Sequence, residues 1–78
     1  MTLASLQRGH KYIIEKIDSA APGVERLMVL GLVEGTEIEL ASTAIGGDPL
    51  ELRMFGNAIS LRLAQAQHFT VSQVDPGE

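Results

Sequence analysis

The sequence predicts a mostly β fold, in which five short strands form a small, strongly curved barrel and one short α-helix follows the first strand. Three observations lead to this prediction. Apolar and polar residues alternate in several short segments, these segments end at residues typical of tight turns, and one segment has the spacing of an amphipathic helix. A chain of 78 residues is too short for a two-sheet sandwich of ordinary size, and closure of a barrel would hide the strand edges.

The first strand and the helix lie in the N-terminal part of the sequence. Lys11 to Asp18 is rich in β-branched residues and predicts a strand, although the adjacent Ile13 and Ile14 leave its inward face open. Pro22 suits the first turn of a helix, where its missing N–H would be unpaired anyway. The helical spacing is carried by Val24, Leu27 and Met28. Gly31 is placed to end this helix in a left-handed conformation.

The second strand shows the clearest alternation in the sequence. It follows a tight turn at Glu34-Gly35, where glycine supplies a positive φ angle. From Thr36 to Ala44, polar residues alternate with apolar ones, so that Ile38 and Leu40 are predicted to point inward. Gly46 to Pro49 is then predicted to be the loop to the third strand.

Three further strands are predicted in the C-terminal half. Leu50 to Phe55 alternates as the third strand, Gly56-Asn57 is the next turn, and Ile59 to Leu63 is the fourth strand. Ala64 to Gln67 could form one helical turn before a last strand around Phe69 to Val71. The predicted core consists of Ile38, Leu40, Leu52, Met54, Ile59, Leu61, Phe69 and Val71.

The length of the chain limits both its stability and its chemistry. We expect one domain over residues 1–74 and a flexible tail over residues 75–78. The core of so small a domain supports a net stability of only about 3 to 5 kcal/mol. The sequence contains no cysteine, which excludes disulfides, thiolate nucleophiles and iron–sulfur ligation.

Charge and hydropathy argue against membranes and nucleic acids as direct partners. The N-terminus lacks the pattern of a secretion signal, and the longest apolar run, Leu27 to Val33, is far shorter than the roughly 20 residues that span a bilayer. The formal net charge is −4, and the six basic residues are scattered. No positive patch is therefore expected that could hold phosphates or an anionic membrane surface.

No group of residues predicts catalysis, a cofactor or a metal centre. His10 and His68 are the only histidines and lack the spacing of metal-ligand motifs, so surface or turn histidines are favoured over a metal site. Glu34, Glu37 and Glu39 could offer oxygen ligands to a hard cation, but a solvated strand face is strongly favoured over a cation site. No serine or threonine has the context of a catalytic nucleophile, and the loop glycines lack the lysine of a phosphate-binding loop.

The order and spacing of several short motifs resemble the FeoA family from about Leu3 to Val71. The family pattern combines a Leu-Gly-Leu-x-x-Gly segment, a Gly-x-Pro loop and a closing Leu-Arg-x-x-x-Ala segment. Here the residues of these motifs are Leu30, Gly31, Leu32, Gly35, Gly47, Pro49, Gly56, Leu61, Arg62 and Ala66. One departure is Glu34, where the family usually has proline.

The resemblance implies an SH3-like domain without enzymatic activity. It further implies a cytosolic accessory protein of bacterial ferrous-iron uptake, which binds the cytosolic part of the FeoB transporter and affects its assembly or its GTP-driven cycle. The alternative is a regulatory module that associates with a DtxR-like metal-dependent repressor. Weak self-association through an open strand edge is a third interpretation.

A partner would have to bind an aliphatic surface. The only aromatic residues are Tyr12, Phe55 and Phe69, too few for the aromatic groove with which ordinary SH3 domains hold proline-rich peptides. The candidate surface is Phe55 together with whichever of Val29, Leu30, Leu32 and Val33 the core leaves uncovered.

Overall fold

The fold is mostly β, with five antiparallel strands in one sheet and two short α-helices. The elements are β1 (Lys11–Ile17), α1 (Val24–Val29), β2 (Glu37–Thr43), β3 (Leu50–Met54), β4 (Asn57–Leu61), α2 (Leu63–Ala66) and β5 (Phe69–Val74), with 3₁₀ turns at Leu3–Ser5 and Ile45–Gly47. The computed structural model describes residues 1–74, so the tail predicted over 75–78 lies outside the described residues. Within that described part, neither helix is long and apolar enough to cross a membrane.

The strand pairing among residues 1–74 leaves the sheet open and does not show the closure of the predicted barrel. The strand order is β4-β3-β2-β1-β5, and each neighbouring pair is antiparallel. Register shifts in β1 after Ile14 and in β2 after Leu40 bend the sheet, as β-bulges do. Among residues 1–74, however, β4 and β5 are not paired with each other.

Both helices differ in part from the prediction. α1 begins at Val24, two residues after Pro22, because Gly23 has a φ angle of 81° and cannot continue a right-handed helix. A side chain at position 23 would also be crowded. The side-chain amide nitrogen of Gln65 lies only 2.8 Å from the position that a Cβ atom on Gly23 would take. The helical turn predicted for Ala64 to Gln67 is present as α2, which has four residues and begins one residue earlier, at Leu63.

The C-terminal end of α1 confirms the predicted glycine cap. Gly31 has a φ angle of 118°, and its N–H donates to the carbonyl of Met28 at 3.0 Å, while the N–H of Leu32 donates to the carbonyl of Leu27 at 3.1 Å. This pair of bonds is the Schellman motif. Leu27 and Leu32 are both buried, so the chain after the cap is fixed against the core.

The buried residues confirm most of the predicted core. Every predicted core residue is buried except Ile59, which is half-buried and packs against the core. Further buried apolar residues are Leu3, Tyr12, Ile14, Val24, Leu27, Leu32, Leu50 and Ala66. The burial of Tyr12 and Ile14 decides the inward face of β1, and Leu3 adds the N-terminal 3₁₀ turn to the same core.

Candidate docking surface

The turn between β3 and β4 holds a phenylalanine in an unusual backbone conformation. Met54 pairs with Asn57 across the turn, so the loop consists of Phe55 and Gly56 and lies one residue earlier than the predicted Gly56-Asn57 turn. The φ angles of Phe55 and Gly56 are 50° and 78°, the pattern of a type I′ turn. Such turns favour Asn or Asp at the first of these positions, and a bulky residue there is an outlier.

The side chain of Phe55 gains no burial in this position, since 77% of the residue is exposed. Apolar residues at the end of α1 and just after it are also left exposed. Val29, Leu30 and Val33 are exposed, with Leu30 at 56%. Leu32 is completely buried, because the Schellman motif turns it inward, and it is therefore not part of an exposed surface.

An apolar groove of about 400 Å³ joins the end of α1 to the β3–β4 turn. It is lined by Leu30, Met54, Phe55, Asn57, Ala58 and Ile59. The helix end comes close to β3 here, since a Cβ on Gly31 would lie 3.2 Å from the Cε atom of Met54. The structure thus brings Leu30 and Phe55 together at one groove, whereas the exposed Val29 and Val33 do not line it.

Phe55 also borders a smaller, charged groove on its other side. This second groove, of about 140 Å³, is lined in part by Lys11, Glu37, Glu39 and Arg53. Arg53 and Glu39 pair across β2 and β3, with 3.9 Å between Nη1 and Oε1. Phe55 therefore stands between an apolar groove and a rim of mixed charge.

The two histidines line neither of these grooves, and each has one polar neighbour. His10 Nδ1 is 3.0 Å from Nε2 of Gln73, and His68 Nδ1 is 3.7 Å from Oδ2 of Asp18. In residues 1–74, no three His, Asp or Glu side chains are grouped as they would be around a metal ion. The candidate carboxylates Glu37 and Glu39 lie on the outward side of β2.

Several of the motif residues form turns or lie in the core. Gly35 and Gly56 have positive φ angles in turns, and Gly47 has one in the loop before Pro49. Leu61 and Ala66 are buried. At the start of α2, the N–H of Arg62 donates to the side chain of Gln65, and the N–H of Leu63 donates to Oδ1 of Asp48 in the same loop, at 3.1 Å.

Sequence reasoning found Phe55 and Leu30 but missed the groove between them. The lining contributed by Asn57, Ala58 and Ile59 depends on where the end of α1 packs, which local patterns do not report. A glycine between two alternating segments was visible, but the turn was assigned one residue too late. Ile45, which is fully exposed in the loop at the opposite end of β3, was also missed.

Comparison with known proteins places the chain among FeoA proteins. The FeoA domain family model matches residues 1–73. Iron(II) transport protein A of Clostridium thermocellum has a TM-score of 0.87 at 31% identity, with 95% of this chain and 46% of that chain covered. This chain thus spans about half the length of that protein. No curated protein sequence matches significantly.

Two further solved structures cover more of their own chains. The FeoA protein of Chlorobium tepidum has a TM-score of 0.85 at 32% identity, covering 100% of this chain and 74% of that one. The FeoA of Stenotrophomonas maltophilia, solved as a zinc complex, has a TM-score of 0.79 at 26% identity, covering 92% and 89%. It is described as a prokaryotic SH3 domain protein and a candidate activating factor of bacterial ferrous iron transport.

Proposed function

Because the chain belongs to the FeoA domain family, we propose that it is a cytosolic accessory protein of bacterial ferrous-iron uptake, which docks on the cytosolic part of an FeoB-type transporter. Docking affects the assembly of the transporter or its GTP-driven cycle. The family consists of small transport-associated accessory proteins, not enzymes. The iron transport roles given to the similar proteins of C. thermocellum and S. maltophilia support this proposal.

One observation carries the choice of docking surface: Phe55 is both exposed and left-handed. A residue with a Cβ in this conformation costs roughly 1 to 2 kcal/mol. Burial of a phenylalanine side chain contributes about 1.5 to 3 kcal/mol, but in the free protein Phe55 is not buried. A partner that covers the ring would provide this missing stabilisation, so the turn is better suited to the complex than to the isolated domain.

The surroundings of Phe55 have the composition of a binding interface. An aromatic anchor, an adjacent apolar groove with Leu30 on its wall and a rim formed by Arg53 and Glu39 correspond to the apolar centre and polar edge of protein interfaces. Val29 and Val33, one residue before and three residues after Leu30 in the chain, are exposed and apolar as well. The proposed docking surface is therefore Val29, Leu30, Val33 and Phe55.

The substitution Phe55→Asn should have opposite effects on folding stability and on transporter binding. Asparagine tolerates the left-handed conformation and is favoured in type I′ turns, so the variant should unfold with a free energy about 0.5 to 1 kcal/mol higher than the parent. Loss of the aromatic anchor should at the same time weaken co-purification with the full-length transporter at least tenfold. Urea unfolding and co-purification, measured on the same samples, check both expectations.

Ile45→Ser is the matched control, since it removes another exposed apolar side chain, at the other end of β3. It should leave co-purification unchanged. If Phe55→Asn binds the transporter as well as the parent does, the docking surface is wrong. If the parent does not bind the transporter and iron uptake is normal in cells without the chain, the proposed function itself is wrong.

A further inference from the structure

The two edges of the sheet are treated differently by the rest of the chain. On β5, the outer edge is occupied by the N-terminus: the N–H of Val71 donates to the carbonyl of Met1 at 2.8 Å, and Thr2 forms a bridge with Thr70. β4 is the opposite edge of the sheet, and no strand within residues 1–74 pairs with its outer side. Within residues 1–74, β5 is therefore covered at Thr70 and Val71, whereas β4 is open along its length.

The register of the β3–β4 hairpin identifies the backbone groups on the open edge. Met54 and Asn57 close a two-residue turn and form a hydrogen-bonded pair, and such pairs alternate along antiparallel strands. Ile59 and Leu61 are therefore also bonded to β3. Between them, Ala58 and Ser60 direct their N–H and C=O groups outward, and these groups have no partner among residues 1–74.

β4 also lacks the features that usually protect an open edge. Natural edge strands carry charged residues, proline or bulges that prevent pairing with another chain. The residues from Asn57 to Leu61 include no charged side chain and no proline, and their register with β3 is regular. β1, β2 and β3 all contain ionisable residues, while β5, which has none, is the strand covered by the N-terminus.

We propose that β4 pairs with β4 of a second copy of this chain, antiparallel and with the two-fold axis at Ile59. In this register Ala58 of each copy faces Ser60 of the other. The outward N–H and C=O groups of both residues then bond in two reciprocal pairs, so all four groups on each edge are satisfied. The two Ile59 side chains face each other next to the apolar groove that Ile59 and Leu30 line.

The charges on β3 favour this register over its neighbours. Arg53 lies beside Ala58, and Glu51 lies beside Ser60. With the axis at Ile59, Arg53 of one copy is in the same row as Glu51 of the other, with only small side chains between them. With the axis at Ala58, Arg53 of one copy would be in the same row as Arg53 of the other. With the axis at Ser60, the two Glu51 side chains would share a row, so like charges would face each other in both cases. Each of those registers also pairs fewer of the outward groups.

The expected association is weak, because one pair of five-residue strands buries less surface than stable complexes do. It does not rest on the proposed function, since it concerns the backbone of β4 and not the side chain of Phe55. Sedimentation of the parent chain should show a monomer at low micromolar concentration and a growing dimer fraction towards millimolar concentration. Ser60→Lys, which gives the edge a charge, should remain a monomer throughout.

The absence of cysteine allows the register to be tested directly. The axis places the two Cβ atoms of residue 59 about 4.5 to 5.5 Å apart, and a disulfide can form after small adjustments. Ile59→Cys should therefore cross-link under mild oxidation. Asn57→Cys should not, because residue 57 faces residue 61 of the other copy.

A second pair of variants avoids any loss of core packing at Ile59. An equimolar mixture of Ala58→Cys and Ser60→Cys chains should form a mixed disulfide dimer, whereas each variant alone should stay largely monomeric. A parent chain that remains monomeric at millimolar concentration overturns the proposal. Cross-linking of Asn57→Cys as readily as the mixed pair overturns the register and shows random collision instead.

Discussion

Thr36 is a buried polar residue at which three parts of the chain meet. Its hydroxyl donates to the carbonyl of Gly31 at 2.9 Å, beyond the end of α1. Its backbone N–H donates to Val33 across the turn, and its carbonyl accepts from the N–H of Ile14 in β1. One side chain therefore contributes to the helix cap while its backbone joins the turn to the sheet.

Thr36→Val should lower the free energy of unfolding by about 1 to 3 kcal/mol, because the side chain keeps its shape but leaves the carbonyl of Gly31 without its donor. Thr36→Ser, which keeps the hydroxyl and loses a methyl group, is the control. Urea denaturation of the three proteins gives the comparison. A valine variant more stable than the serine variant would show that the methyl group matters more than the hydrogen bond.

At the scale of elements, the connection from α1 to β2 consists of two successive backbone motifs. The Schellman motif ends the helix, and a tight turn from Val33 to Thr36 follows, closed by a 3.1 Å hydrogen bond between the N–H of Thr36 and the carbonyl of Val33. Gly35 occupies the third position of this turn with a φ angle of 89°. Glu34 is at the second position, where proline is favoured.

Glu34→Pro should stabilise the protein by about 0.4 to 1 kcal/mol, since proline restricts the unfolded chain and fits the second position of the turn. No hydrogen bond of the Glu34 N–H within residues 1–74 would be lost. The melting temperature and the urea midpoint should both rise. Glu34→Ala distinguishes this effect from the loss of the carboxylate, and a destabilised proline variant would mean that the turn has a different geometry.

At the scale of the whole molecule, a thin core makes single buried residues decisive. Leu61 is buried at the end of β4 and pairs with Leu50 of β3. Its side chain packs the edge strand against the core, and the stability of the whole domain depends on that one core. The net stability expected for a domain of this size, about 3 to 5 kcal/mol, is similar to the cost of removing one such side chain.

Leu61→Ala should cost roughly 2 to 5 kcal/mol and leave the domain largely unfolded at room temperature. Circular dichroism and one-dimensional proton NMR would show the loss of structure. Ser60→Ala, at the exposed neighbouring position, should change stability by less than about 0.5 kcal/mol. A Leu61→Ala protein that melts within a few degrees of the parent would show that the core does not depend on this residue.

Local patterns in the sequence predicted the strands, the glycine cap and most of the core, because these depend on residues close together in the chain. The position of the β3–β4 turn was predicted one residue late, since Phe55 is a rare residue for a left-handed position. The open sheet depends on long-range pairing, which periodicity does not contain. For the same reason the exposed Leu30 and Phe55 were predicted, while the groove between them and the burial of Leu32 were not.

The N-terminal residues on β5 also determine how far edge pairing can extend. A domain with two free edges could bind one neighbour on each side and grow without limit into a filament, as heterologous contacts allow. Here Met1 and Thr2 occupy the outer side of β5 at Thr70 and Val71, so another strand could not pair with β5 at these two residues. The same short segment that contributes Leu3 to the core therefore hinders strand pairing on this part of β5, and it favours a closed pair through β4 over a filament.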